Sequence, residues 1–232
     1  MAYWFDIKPE VTEEWLHWYL HDHMPSRVGT AFVSGRCYER TDGNASHMVL
    51  FETTTPEDLL RPSYLALLGK ISEEDRQRRE WYANPIRATC RVLARSGRGT
   101  GGMLGVIRVN RGPHDAQALQ RCLINEVLPA VAAYPRIGGA WLMAHDPALR
   151  SRMDAARVTG HQDGSTDWAI LIEGGHDVDL AMAMSLAQET ASWRALKLGE
   201  HAFFHRYRLL YTMSQADDIV PASAQPDYGC IP

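Results

Sequence analysis

The segment His21-Asp22-His23-Met24-Pro25-Ser26-Arg27 is the most unusual piece of this 232-residue sequence. A histidine with an ordinary pKa of about 6.5 accepts and returns a proton near neutral pH, and Asp22 or Glu52 is available to orient His23. Arg27 and Arg36 add planar, permanently charged forks suited to a carboxylate or enolate oxygen. Together these residues describe an acid–base site for an anionic small molecule. A second reading stands beside it, because a histidine at a helix C-terminus also complements the helix dipole, and this applies to His21 as well as His23. His21-x-His23 with Glu52 could ligate a divalent ion, but that spacing suits a strand better than a helix end, so no metal is expected. Ser26 lacks a surrounding G-x-S-x-G elbow, which argues against a serine nucleophile.

The elements that must position these residues follow from pattern. Tyr3 to Ile7 is short, aromatic and ends before Pro9, as a strand does. From Thr12, read as an N-cap, Trp15, Leu16, Trp18, Tyr19 and Leu20 recur at helical spacing until Pro25. Phe32–Glu39 and His47–Glu52 read as strands joined by the turn Thr41-Asp42-Gly43-Asn44. Thr55-Pro56-Glu57-Asp58 starts a helix running to about Leu68, Ser72-Glu73-Glu74 starts another, and Ile86–Leu93 closes the unit as a strand. This order, β-α-β-β-α-β, defines the ferredoxin-like unit. Past the glycine-rich stretch Ser96–Gly102 the order recurs as Leu104–Val109, Asp115–Ala133, Gly139–Ala144, Asp167–Glu173, Leu180–Leu196 and Phe203–Met213. The expected fold is therefore α+β, with two tandem ferredoxin-like repeats at 1–95 and 103–214 and an irregular tail at 215–232. Leu128-Pro129 falls where Met24-Pro25 falls, and Leu171-Ile172-Glu173 where Leu50-Phe51-Glu52 falls. In that register Val127 and Val131 stand where the first unit has His23 and Arg27, so the polar cluster exists once.

Counting strands in twos separates their faces. Trp4, Asp6, Arg36, Tyr38 and Glu52 share the polar-bearing face, read as the wall of a pocket between two sheets. The alternative is a set of internal salt bridges such as Arg36 with Glu52 or Asp6. In the last strand His205 and Tyr207 share one face, Arg206 and Arg208 the other.

Composition narrows the classes. The chain is 45% hydrophobic and 22% charged, as globular proteins are, and a net charge of −4 offers no basic stripe for nucleic acid. Arg76, Arg78 and Arg79, interleaved with Glu73, Glu74, Asp75 and Glu80, read as a solvated helix face. Cys37, Cys90, Cys122 and Cys230 are widely separated, which suggests free thiols. With no signal-peptide pattern and no apolar run near the roughly 18 residues of a membrane helix, a cytoplasmic protein without membrane partners is expected.

The runs Glu14-Trp15-Leu16-His17-Trp18-Tyr19, His23-Met24-Pro25-Ser26-Arg27, Gly35-Arg36-Cys37-Tyr38-Glu39 and Leu50-Phe51-Glu52, with Leu59 and Tyr64, resemble the dimeric α+β barrel superfamily, in particular its EthD-like members. The resemblance implies that His23 and Arg27 fall on the family's helix-end pair and Arg36 and Tyr38 on its second-strand pair. It implies a possible homodimer. The function expected is a cofactor-independent enzyme of aromatic-compound catabolism that isomerises or hydrolyses an unsaturated carboxylate or its methyl ester. His23, Arg27 and Tyr38 are its expected catalytic residues; Trp4, Asp6, Arg36, Glu52 and His205 its substrate contacts. Two alternatives accompany it: a haem-binding oxidoreductase of the chlorite dismutase type with His205 as axial ligand, and a non-catalytic binder of small ligands.

Overall fold

The computed structural model of the chain describes residues 1–43, 46–70, 72–158 and 163–215. Asn44, Cys230 and all but Gln215 of the expected tail lie outside these. Among the described residues nine strands form: β1 (Ala2–Ile7), β2 (Ser34–Arg40), β3 (Ser46–Glu52), β4 (Tyr82–Ala88), β5 (Cys90–Gly97), β6 (Met103–Val109), β7 (Ile137–His145), β8 (Trp168–Gly174) and β9 (Ala202–Ser214). The helices are α1 (Thr12–Trp18), α2 (Pro62–Leu68), α3 (Glu73–Arg79), α4 (Ala116–Cys122), α5 (Leu128–Ala132), α6 (Pro147–Asp154), α7 (Asp177–Glu189) and α8 (Ala191–Ala195). None of them is long and apolar enough to cross a membrane.

All strands join one antiparallel sheet in the order β4-β1-β3-β2-β9-β6-β8-β7-β5. Its two end strands, β4 and β5, are consecutive in the chain with only Thr89 between them, so the sheet curls round on itself. The architecture is a mixed α+β fold with a large curled antiparallel sheet, consistent with an α+β barrel. The expected strand Ile86–Leu93 is thus two strands: Tyr82–Ala88 pairs with β1, and Cys90–Gly97 turns away to pair with β7. The pocket expected between two facing sheets is replaced by a filled interior.

Three apolar clusters result. Trp4, Tyr38, Met48, Leu50, Val106, Trp141, Leu171 and Tyr207 fill the concave side of the sheet. On the convex side, α1, α2 and α6 cover the first half around Phe5, Trp15, Tyr19 and Phe51. Helices α4, α5, α7 and α8 cover the second half around Ile107, Leu123, Val127, Val131 and Trp193.

Prolines explain most departures from the expected helices. Pro62 divides the Thr55 helix into a 3₁₀ turn, Pro56–Leu60, and α2, although the predicted start survives as a capping box between Thr55 and Asp58. Thr12 does not cap α1; Val11 holds that position, behind a 3₁₀ turn at Pro9–Val11. The Leu180–Leu196 helix breaks at Thr190, whose backbone is extended. Helix α6 was not foreseen, although Asp146-Pro147 is a start signal: the Asp146 carboxylate accepts the Leu149 N–H at 2.9 Å.

A π turn occurs at the same place in both halves, Tyr19–His23 and Leu123–Val127, each one residue ahead of the Met24-Pro25 or Leu128-Pro129 pair. The Met24 N–H reaches back five residues to the Tyr19 carbonyl at 2.8 Å. A proline has no N–H and its ring crowds the carbonyl four residues earlier, so the wider turn relieves the contact.

Candidate active site

The π turn sets Tyr19 and His23 against a cavity of about 240 Å3 on the convex side of the first half. Tyr3, Tyr82 and Arg87 line it from β1 and β4, Trp18 from α1, Tyr64 and Leu67 from α2, and Arg78 and Arg79 from α3. His23 stacks on Tyr19, with ring centroids 4.7 Å apart and planes 28° from parallel, and lies 4.7 Å from the Trp18 ring. Arg27 lines the cavity too, and its Nη1 donates to the His23 carbonyl at 3.0 Å and to Ser26 Oγ at 2.7 Å. It therefore ties down the turn that carries His23.

Burial, reinforced by the positive charges of Arg27, Arg87 and Arg79, holds the His23 imidazole well below its ordinary pKa. His23 is consequently a neutral base at pH 7. Burial also raises the phenols of Tyr3, Tyr19, Tyr64 and Tyr82, which stay protonated. Asp22 is exposed and forms no side-chain hydrogen bond or ion pair with His23, and Glu52 lies across the sheet bonded to Arg36, so neither orients the imidazole.

The other expected site residues form a separate group on the concave side. Trp4, Arg36, Tyr38 and Glu52 do share a face, as alternation requires, but the sheet stands between them and His23. Arg36 is neutralised there: its Nη1 meets Glu173 Oε1 at 2.6 Å and its Nη2 meets Glu52 Oε1 at 2.7 Å. The salt-bridge alternative holds, and Glu173, at the position corresponding to Glu52, completes it. Gly101 donates its N–H to Glu173 at 3.2 Å, and a Cβ at that residue would stand 2.0 Å from the Gly174 carbonyl, so only glycine permits the contact. The Tyr38 phenol is raised by burial. Asp6 accepts from Asn84 Nδ2 at 2.7 Å.

His205 sits at the concave face with Tyr207, its Nδ1 3.9 Å from Asp42. Burial and the charges of Arg40 and Arg108 lower it to about 4. Its ring is 18% exposed and lines neither this cavity nor the open depression at Arg111, Gln120 and Trp168. A haem needs an open face on its axial histidine, so the arrangement does not fit that group.

Sequence reasoning missed the cavity's far wall. Tyr82, Arg87 and Arg157 carried no signal, and the α3 arginines were read as solvated. Arg76 is indeed exposed, but Arg78 lies 5.1 Å over the Trp18 ring and Arg79 lines the cavity. In the second half Val127 and Val131 are fully buried in the apolar core, which fills the corresponding space.

No protein-family model matches the sequence, and comparison with curated proteins finds no match. Solved structures do resemble it. A candidate monooxygenase from Fusobacterium nucleatum superposes with a TM-score of 0.53 at 7% identity, covering 93% of each chain. An anthrone oxidase-like protein gives 0.54 at 13% identity, over 95% of this chain and 94% of its own. A candidate monooxygenase from Lactobacillus acidophilus gives 0.52 at 8% identity, over 93% and 95%. The chain shares the α+β barrel fold of these proteins. Their names are of oxidase and monooxygenase type, which overturns the expectation of an isomerase or ester hydrolase in aromatic catabolism.

Proposed function

We propose that the chain is an oxygen-using enzyme of oxidase or monooxygenase type, acting on a phenolic or anthrone-like aromatic in the His23 cavity without a cofactor. The observation that carries this reading is a neutral imidazole set among aromatic walls inside a cationic cavity. The names of the structural neighbours support it. Deprotonating a phenol or an activated ring methylene makes an electron-rich anion that can itself reduce dioxygen, and a base among cations is what that step needs. For a methylene the reaction balances as one methylene and one dioxygen giving one ketone and one water. Two C–H bonds break, one oxygen atom becomes the carbonyl, and the other leaves as water. His23 accepts the first proton and returns it to the departing oxygen. The surrounding cations stabilise the anion, Arg27 fixes the His23 turn, and Trp18, Tyr19 and Tyr64 clamp the rings.

We read the chain further as two tandem ferredoxin-like units, 1–95 and 103–214. The orders β4-β1-β3-β2 and β9-β6-β8-β7 support this, as does the repeated π turn. The EthD-like affinity of the first unit rests on the positions of His23, Arg27, Arg36 and Tyr38.

An oxygen electrode with dithranol, a dihydroxyanthrone, in chelator-treated buffer tests the reading. Oxygen uptake above the spontaneous rate, with quinone formation, is expected, and His23→Ala should lower kcat about 10²- to 10⁴-fold with an unchanged circular dichroism spectrum. No enzymatic uptake from anthrones or naphthols, or full activity in His23→Ala, would overturn it.

A further inference from the structure

We infer that the ligand of the His23 cavity carries a carboxylate on its aromatic skeleton, held by Arg79 and Arg87. This rests on the cavity being the substrate site and adds the chemical class of what enters it.

The argument begins with charge. Arg27, Lys70, Arg78, Arg79, Arg87 and Arg157 line the cavity, with Asp75 the one acidic residue among them. Behind this wall Asp163, 1% exposed, is shared at 3.2 to 3.4 Å by Arg87, Arg150 and Arg157. Asp154 pairs with Arg150 and Arg157. Two carboxylates thus answer three guanidinium groups before Arg79 is counted, and Arg79 forms no ion pair among the described residues. The Asp75 carboxylate faces the start of its own helix, accepting the Ser72 N–H at 3.4 Å. The chain as a whole is acidic, at −4, so this concentration of positive charge is local.

Hydrogen bonding sharpens the choice. Arg27 is committed to His23 and Ser26, Arg78 to Glu74 and the Trp18 face, and Arg157 to its two aspartates. Among the described residues lining the cavity, the shielded guanidinium donors without an acceptor are Arg79 Nη1 and Arg87 Nε, and Asp163 Oδ1 behind them is likewise unmet. Buried guanidinium N–H groups are costly to leave unmet, and charge-assisted bonds to an anion are the strongest way to meet them. A single carboxylate on the ligand would answer the positive charge that Asp154 and Asp163 leave over. The tyrosine and tryptophan walls supply the rest of the recognition. At about 240 Å3 the space is below the roughly 300 Å3 where drug-sized sites begin, and it suits a few fused rings.

The test is a calorimetric titration of the full chain with 2-naphthoate, its isostere 2-naphthamide and 2-naphthyl phosphate. None of these is an oxidisable phenol, so the result stands apart from whether oxygen is consumed. Wild-type protein should bind the acid about 10- to 100-fold more tightly than the amide. Arg79→Gln should bring the acid's affinity down to the amide's, with an unchanged circular dichroism spectrum showing that the variant is folded. Equal affinity for acid and amide, binding of neither, or an unchanged preference in Arg79→Gln would overturn the inference. Tighter binding of the phosphate than of the acid would overturn the carboxylate in favour of a phosphate ester.

Discussion

Tyr3 and Trp4 are consecutive on β1 and look into different compartments. Tyr3 lines the convex cavity, with the Arg87 guanidinium 4.5 Å from its ring centroid, while Trp4 packs into the concave interior, 5.3 Å from Arg108. One peptide bond therefore separates the walls of the candidate active site from the barrel core. Ligand binding should report this division. An aromatic ligand in the cavity is expected to quench Trp18, which lines it. Trp18→Phe should remove most of the fluorescence change in a titration, and Trp4→Phe and Trp141→Phe should leave it intact. A quench that follows Trp4 would place the ligand inside the barrel.

That division also explains how far the sequence could be read. Alternation with period two correctly grouped Trp4, Arg36, Tyr38 and Glu52 on one face, because side chains on a strand have no other choice. It could not say which side of the sheet stays open. That depends on how helices pack over the other face, and on the volume Val127 and Val131 fill in one half and His23 and Arg27 leave in the other. The helix-end segment was legible because a histidine, a proline and an arginine together are conspicuous. Arg79 was not, since an arginine in a charged helix looks the same whether it meets water or a cavity. Arg87 was hidden by the split of one expected strand into β4 and β5.

Arg36 joins the two halves of the chain through carboxylates on either side, Glu52 in β3 and Glu173 in β8. Glu173 is fully buried, so removing the cation strands a charge in the interior. Arg36→Ala is expected to cost about 3–5 kcal/mol of unfolding free energy, measured by urea denaturation. Arg36→Met with Glu173→Gln and Glu52→Gln should recover much of the loss, because it removes the charges together. Ligand affinity of the folded variants should stay at the wild-type value. A weakened affinity at unchanged fold would show that this triad reaches the convex site after all.

Acid should destabilise the protein through His205. Its folded pKa of about 4 lies below the unfolded value near 6.5, with burial the main cause and Arg40 and Arg108 adding to it. Between those values the unfolded chain binds the extra proton and the folded chain does not. The contribution is therefore fully present above pH 6.5 and is lost as pH falls towards 4. At pH 4 the loss from this group is at most roughly 3 kcal/mol. His23, His47 and His145 are lowered as well and act in the same direction. Thermal melts from pH 7 to pH 4 should show a falling Tm, and His205→Gln should flatten part of the slope without changing ligand binding at pH 7. Asp42, 3.9 Å away, favours the protonated ring, so Asp42→Asn should steepen the same slope. If His205→Gln leaves the slope unaltered, the imidazole is solvated in the native state and the barrel interior is more open at that end than its packing implies.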